Sequence, residues 1–141
     1  MRGMGLCMSR TGCRDVNKIT ADIVDAAIKI HKGLGPGLLE SVYEEVLAAE
    51  LERRGHIVER QKDITFEFDG LRFDKGFRID LLIDELVVLE LKSSEKMNPV
   101  YQKQLKTYLV LMELNVGLLL NFGMGTMVEG MRRVVNNLEE E

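Results

Sequence analysis

The hydrophobic period of the chain changes at Gly55. Before it, apolar residues recur at three- and four-residue steps; after it they alternate, as in "ITFEF" and "FRIDLLI". A later run, "VGLLLNF" (Val116–Phe122), is apolar almost throughout, as expected of a strand covered on both faces. Helices with one apolar stripe and a strand with two apolar faces satisfy each other when the helices pack on a central sheet. The pattern therefore predicts an α/β fold, a central mixed β-sheet flanked by α-helices. At 141 residues one such domain is expected, over residues 19–138, after a flexible tail at 1–18 that shows no period.

The first helix is predicted from Thr20, its N-cap, with Ile23, Val24, Ala27, Ile28, Ile30 and His31 repeating at helical steps. "KGLGPGLL" (Lys32–Leu39) stops it, because three glycines and a proline cannot continue a helix cheaply. A second helix, from about Leu38 to Arg54, carries the stripe Leu39, Val42, Tyr43, Val46, Leu47 and Leu51, and Gly55 ends it. Glu40 lies beside that stripe near the helix start. Glu44, Glu45, Glu50 and Glu52 read as solvated, and Tyr43 reads as core packing whose hydroxyl finds a partner. "HIVERQ" and "ITFEF" read as short strands, Asp69–Gly70 as a hairpin turn, and "LRF" as the lead into two longer strands joined near Asp84–Glu85. A third helix runs from about Pro99 to Glu113 and the apolar strand follows it. The tail from Val128 is expected to hold a short helix containing Arg132 and Arg133. The order is helix, helix, strands, helix, strand, helix.

Composition narrows the function classes. A net charge of −4 argues against wrapping nucleic acid by overall attraction, but leaves room for a local basic patch or for a cation that offsets clustered carboxylates. No apolar run approaches the ~20 residues of a membrane span. Cys7 and Cys13 both lie in the tail, and no His or Cys cluster elsewhere completes a zinc site. With two cysteines and no signal-like segment, a reducing cytoplasm is the expected compartment. His31 and His56 read as satisfied histidines rather than ligands. "GLGPG" is not a phosphate loop, since no strand precedes it and no GK[ST] follows.

Chemistry concentrates in "VVLELKSSEK" (Val87–Lys96), where Glu90 and Lys92 share one strand face with Val88. A bare charge in a core costs several kcal/mol unless it is paired or bound, so the pair is either a strand-end salt bridge or part of a site. In the preceding strand Arg78, Asp80 and Leu82 share a face. A three-residue loop, Asp84 to Leu86, sets Asp80 opposite Glu90; a two-residue loop would set it opposite Leu89. In the first register two carboxylates and an ammonium converge. Two neighbouring carboxylates draw in a proton or a divalent cation, and oxygen-only ligands suit Mg²⁺ or Mn²⁺, which polarise a phosphoryl oxygen and acidify a bound water.

Asp80, Glu90 and Lys92 together resemble the D…ExK signature of the PD-(D/E)XK nuclease superfamily. "GLLESVY" (Gly37–Tyr43) resembles the motif that names its GxxExxY family, and "YQKQLKTYL" (Tyr101–Leu109) resembles the helix whose glutamine faces the site, with Gln104 the better fit. The resemblance spans roughly Ile19 to Val135. It implies a restriction-endonuclease-like core in which Asp80, Glu90 and Glu40 hold Mg²⁺ or Mn²⁺, Lys92 assists catalysis and Gln104 completes the site. The expected activity is phosphodiester hydrolysis in nucleic acid, with DNA favoured over RNA. Arg78, Lys96, Lys103 and Lys106 are candidate backbone-phosphate contacts. A homodimer would let so small a chain span a duplex. The alternative is a catalytically silent nucleic-acid-binding or assembly protein that retains the fold.

Overall fold

A computed structural model describes residues 15–137 of the chain. Helix α1 (Val16–Leu34) starts earlier than its sequence pattern predicts. Asp15, not Thr20, is the N-cap, its carboxylate accepting the Asn17 N–H at 2.9 Å. Thr20 is buried inside the helix and donates its hydroxyl to the Asn17 carbonyl. The domain thus starts before residue 19, while Cys7, Cys13 and most of the expected tail lie outside the described residues. Helix α2 (Glu40–Arg53) follows after the glycine-rich segment.

Strand β1 (Val58–Phe68) is one element where two short strands were expected, and β2 (Leu71–Ile83) takes in both "LRF" and the longer strand it was expected to lead into. They form one long hairpin, closed at Asp69 and Gly70, whose φ angles of 56° and 82° give the left-handed turn that an Asp-Gly pair favours. The hairpin outreaches strand β3 (Val87–Lys92), which pairs antiparallel with the end of β2. Helix α3 (Pro99–Met112) carries proline at its first turn and an Asn98 cap. It crosses to β4 (Val116–Asn121), parallel to β3 and buried at all six positions.

The chain end departs from the expected helix. Only Met127–Gly130 is helical (α4), and Met131–Val135 is a strand, β5, antiparallel to β4, so Arg132 and Arg133 lie on the sheet edge. The sheet order is β1-β2-β3-β4-β5. One face packs on α1 and α2 through Ile23, Leu47, Leu81, Leu89 and Leu118; the other packs on α3 through Ile79, Val88, Leu105, Leu109 and Leu119. This is the predicted sandwich with one strand added. No described helix is long and apolar enough to cross a membrane.

Candidate active site

The β2–β3 turn comprises Asp84, Glu85 and Leu86, with Asp84 and Glu85 at φ 54° and 61°. Leu81, Leu82 and Ile83 therefore pair with Leu89, Val88 and Val87. Continuing that register sets Asp80 against Glu90, as the three-residue loop requires. The backbone ladder stops one residue short of this pair, and the two carboxylates take its place. Asp80 N–H donates to Glu90 Oε2 at 3.0 Å, and Leu91 N–H donates to Asp80 Oδ2 at 2.8 Å. Where the strands part, each side chain is tethered to the other strand's backbone.

Glu90 is only 7% exposed. Its burial, together with the charge of Asp80, pushes its carboxyl up to about 8, and the more distant charge of Glu40 adds to the shift. Asp80 is likewise raised, by burial and by the charge of Glu44, against hydrogen bonds from Leu91 and Gln61 that favour the anion. Without a cation, burial and the mutual repulsion of the pair favour a proton on Glu90.

Lys92 makes no ion pair with either carboxylate among the described residues. Its ammonium sits over the Tyr101 ring of α3, 4.5 Å from the centroid, while its charge still favours both carboxylates as anions. A plain strand-end salt bridge is therefore not what this segment forms. Tyr108 brings a second α3 ring close. Burial raises its phenol, and the charges of Glu90 and Asp80 raise it further. Gln104 is exposed and lies between those tyrosines in helical spacing, so it shares their face of α3.

Glu40 opens α2 and is exposed, lining a cleft of about 800 Å³ between Pro36–Ser41 and Ser93, Glu95 and Gly123. The cleft wall is fixed from both sides. The Tyr43 hydroxyl donates to the Gly35 carbonyl and accepts the Leu38 N–H, and Ser93 donates its hydroxyl to the Leu38 carbonyl at 2.6 Å. Asn121, fully buried beside Lys92 on the neighbouring strand, accepts the N–H groups of Ser94 and Gly123 and donates to the Lys96 carbonyl. Gly123 is required there, because a Cβ would fall 2.4 Å from Ser94 backbone atoms.

The four candidate phosphate contacts separate. Arg78 is engaged by Asp63 at 2.8 Å, and Lys106 donates to the Val135 carbonyl at 3.0 Å. The exposed ammonium groups of Lys96 and Lys103 make no bond among the described residues. Lys103 and Lys106 line a groove with Arg133 on the β5 side of α3.

Two further residues at the site, Glu44 and Gln61, fall in no motif of the local sequence pattern. Glu44, expected to be solvated, is 7% exposed and held by Arg60 Nε at 3.0 Å and Gln61 Nε2 at 2.6 Å. Glu50 is mostly covered as well, between Arg53 and Arg54. The signal for Glu44 is its helical step to Leu47 and Ala48, which puts it at the stripe's edge facing β1. His31 and His56 are both satisfied, by the Met124 carbonyl and by Asp22 with Asp84.

Among the described residues no group of three His, Cys, Asp or Glu side chains stands close enough to enclose an ion. The Asp80–Glu90 pair nevertheless fits Mg²⁺ or Mn²⁺, which accept a few carboxylate oxygens and keep several waters. A five-stranded mixed sheet between helices, with a carboxylate pair and a lysine where two of its strands part, is a restriction-endonuclease-like α/β fold. The chain belongs to the PD-(D/E)XK nuclease superfamily, whose family model matches residues 17–134. Searches of curated proteins and of solved structures found no match.

Proposed function

We propose that this protein is a divalent-cation-dependent nuclease of the GxxExxY type, hydrolysing phosphodiester bonds in DNA. The observation that carries the proposal is the reciprocal tethering of Asp80 and Glu90, which holds two carboxylates together at the parting of β2 and β3. Asp80 and Glu90 would hold Mg²⁺ or Mn²⁺, with Glu40 contributing charge from the cleft. Such an ion polarises a phosphoryl oxygen and supplies hydroxide-like nucleophilicity near neutral pH.

The remaining steps belong to side chains of the chain itself. Lys92, held over Tyr101 and unpaired with the carboxylates, offers its ammonium to the attacking oxygen or to the charge growing on the phosphate. Gln104 shares the Tyr101–Tyr108 face and orients the substrate strand. The pinned Gly35–Glu40 segment walls the cleft on the side where the nucleic acid backbone would lie. Lys96 and Lys103 contact phosphates, and a homodimer would extend the contact surface across a duplex.

The GxxExxY assignment rests on Gly37, Glu40 and Tyr43: Glu40 opens α2 and the Tyr43 hydroxyl ties down the loop that precedes it. The test is incubation of purified protein with single-stranded, nicked and branched DNA and with RNA, each with Mg²⁺ or Mn²⁺. Cleavage that disappears in Asp80→Ala, Glu90→Ala and Lys92→Ala is the expected outcome. Binding without cleavage would instead identify a silent member of the superfamily, and cleavage surviving in all three variants would move the site elsewhere.

A further inference from the structure

The geometry points to Gln61 as a positioning residue for Asp80, with Glu44 acting through it. This inference deepens the proposed function and rests on it. Arg60 pairs with Leu81 and Lys62 with Ile79, so Gln61 stands opposite Asp80 on the strand flanking β2. Asp80 is thus bracketed, with Glu90 on one neighbouring strand and Gln61 on the other. The Gln61 amide nitrogen is 2.6 Å from Glu44 Oε1 and 3.4 Å from Asp80 Oδ1, bridging two carboxylates with its two N–H groups.

Two independent observations mark the arrangement as more than packing. Gln61 has φ +46°, and it is the one non-glycine residue within a described strand that lies in the left-handed region. The others stand at turns, at the C-cap of α3, or beyond β5. A side chain forced into such a backbone inside a strand is a strained position, of the kind that persists where the surroundings over-determine it. The second observation is Glu44 itself, a buried carboxylate placed beside a pair that already repel each other. Its placement makes sense as an anchor. Glu44 can only accept, so it fixes the Gln61 amide with its NH₂ end toward the site, and Arg60 balances its other oxygen at 3.0 Å. The amide then holds Asp80 Oδ1 from the β1 side while Leu91 N–H holds Oδ2 from the β3 side.

Gln61 is exposed and contributes little to the core, so Gln61→Met should fold as wild type does, removing both donors at similar length. Partners that orient metal-holding carboxylates typically matter roughly 10- to 100-fold. In calorimetry with Mn²⁺, Gln61→Met should bind at least about fivefold more weakly, with kcat on a cleaved oligonucleotide falling and KM for DNA unchanged. Glu44→Gln should weaken Mn²⁺ binding less than Gln61→Met does. The double variant should be no worse than Gln61→Met alone, because Glu44 works through the amide. Wild-type Mn²⁺ affinity in Gln61→Met, or fully additive losses in the double variant, would overturn the inference while leaving the nuclease reading intact. A wild-type protein whose Mn²⁺ binding is absent, or unaffected by Asp80→Ala, would remove both.

Discussion

Glu90 joins folding to chemistry in a single side chain. Folded, its carboxyl is pushed up to about 8 by burial and by Asp80; unfolded, it titrates near 4.5. The folded state therefore binds the extra proton between those values, and stability is lost as pH rises from about 4.5 through about 8. Glu90→Gln keeps an acceptor for Asp80 N–H and removes the charge. Urea denaturation at pH 9 should find this variant more stable than wild type by roughly 2–4 kcal/mol, with little difference at pH 4. A less stable Glu90→Gln at pH 9 would contradict the account. Added Mg²⁺ should restore wild-type stability at pH 9 and leave the variant unchanged, because only the wild-type pair offers a site to the ion. A residue that weakens its own fold at working pH is what a binding site imposes on a small core.

At the scale of elements, the site depends on where ladders end rather than where they run. β2 and β3 stop pairing at Leu81 and Leu89, and β1 is distorted at Gln61, so Asp80 lies in a gap on both sides. The open end of the same hairpin, just beyond the site, is locked differently, by His56 hydrogen-bonded to Asp22 and Asp84 at 2.6 Å each. Burial pulls the His56 pKa down, but these two carboxylates outweigh it and raise it above 6.5. Its stabilisation is complete below about pH 6.5 and fades as pH rises through the raised value. Urea midpoints measured from pH 6 to 9 should fall more steeply for wild type than for His56→Gln; parallel curves would refute the linkage. Much of this layout was legible in the sequence. The three-residue turn put Asp80 against Glu90, and the Asp-Gly pair marked the hairpin tip. The alternation of β2, however, breaks at Asp80: Ile79 and Leu82 pack toward α3 while Leu81 and Ile83 pack toward α1 and α2, so Arg78 and Leu82 do not share the face that simple alternation gives them. What escaped was non-local. Glu44 looked solvated because its partners, Arg60 and Gln61, come from a strand that begins after the next turn. "MRRVV" looked helical because so short an edge strand owes its form to pairing with β4, not to its own residues. Thr20 looked like a cap because Asp15 sits before any visible period.

For the whole molecule the net charge of −4 means that nucleic acid must be held by local contacts, not by general attraction. Lys96 and Lys103 are exposed and unengaged among the described residues, whereas Arg78 and Lys106 are occupied within the protein. Lys96→Ala with Lys103→Ala should raise KM for DNA several-fold and flatten its salt dependence by up to about one power of salt concentration per lysine, leaving single-turnover rates at saturation unchanged. An unaltered KM would mean that the substrate follows another path. Whether a hard cation binds between the parting strands is decided by calorimetric titration of Mn²⁺ at pH 7 into wild type, Asp80→Ala and Glu90→Gln. Wild type should bind at one site and release about one proton as Glu90 ionises, and neither variant should bind. Equal binding by all three proteins, or none by wild type, would rule that site out.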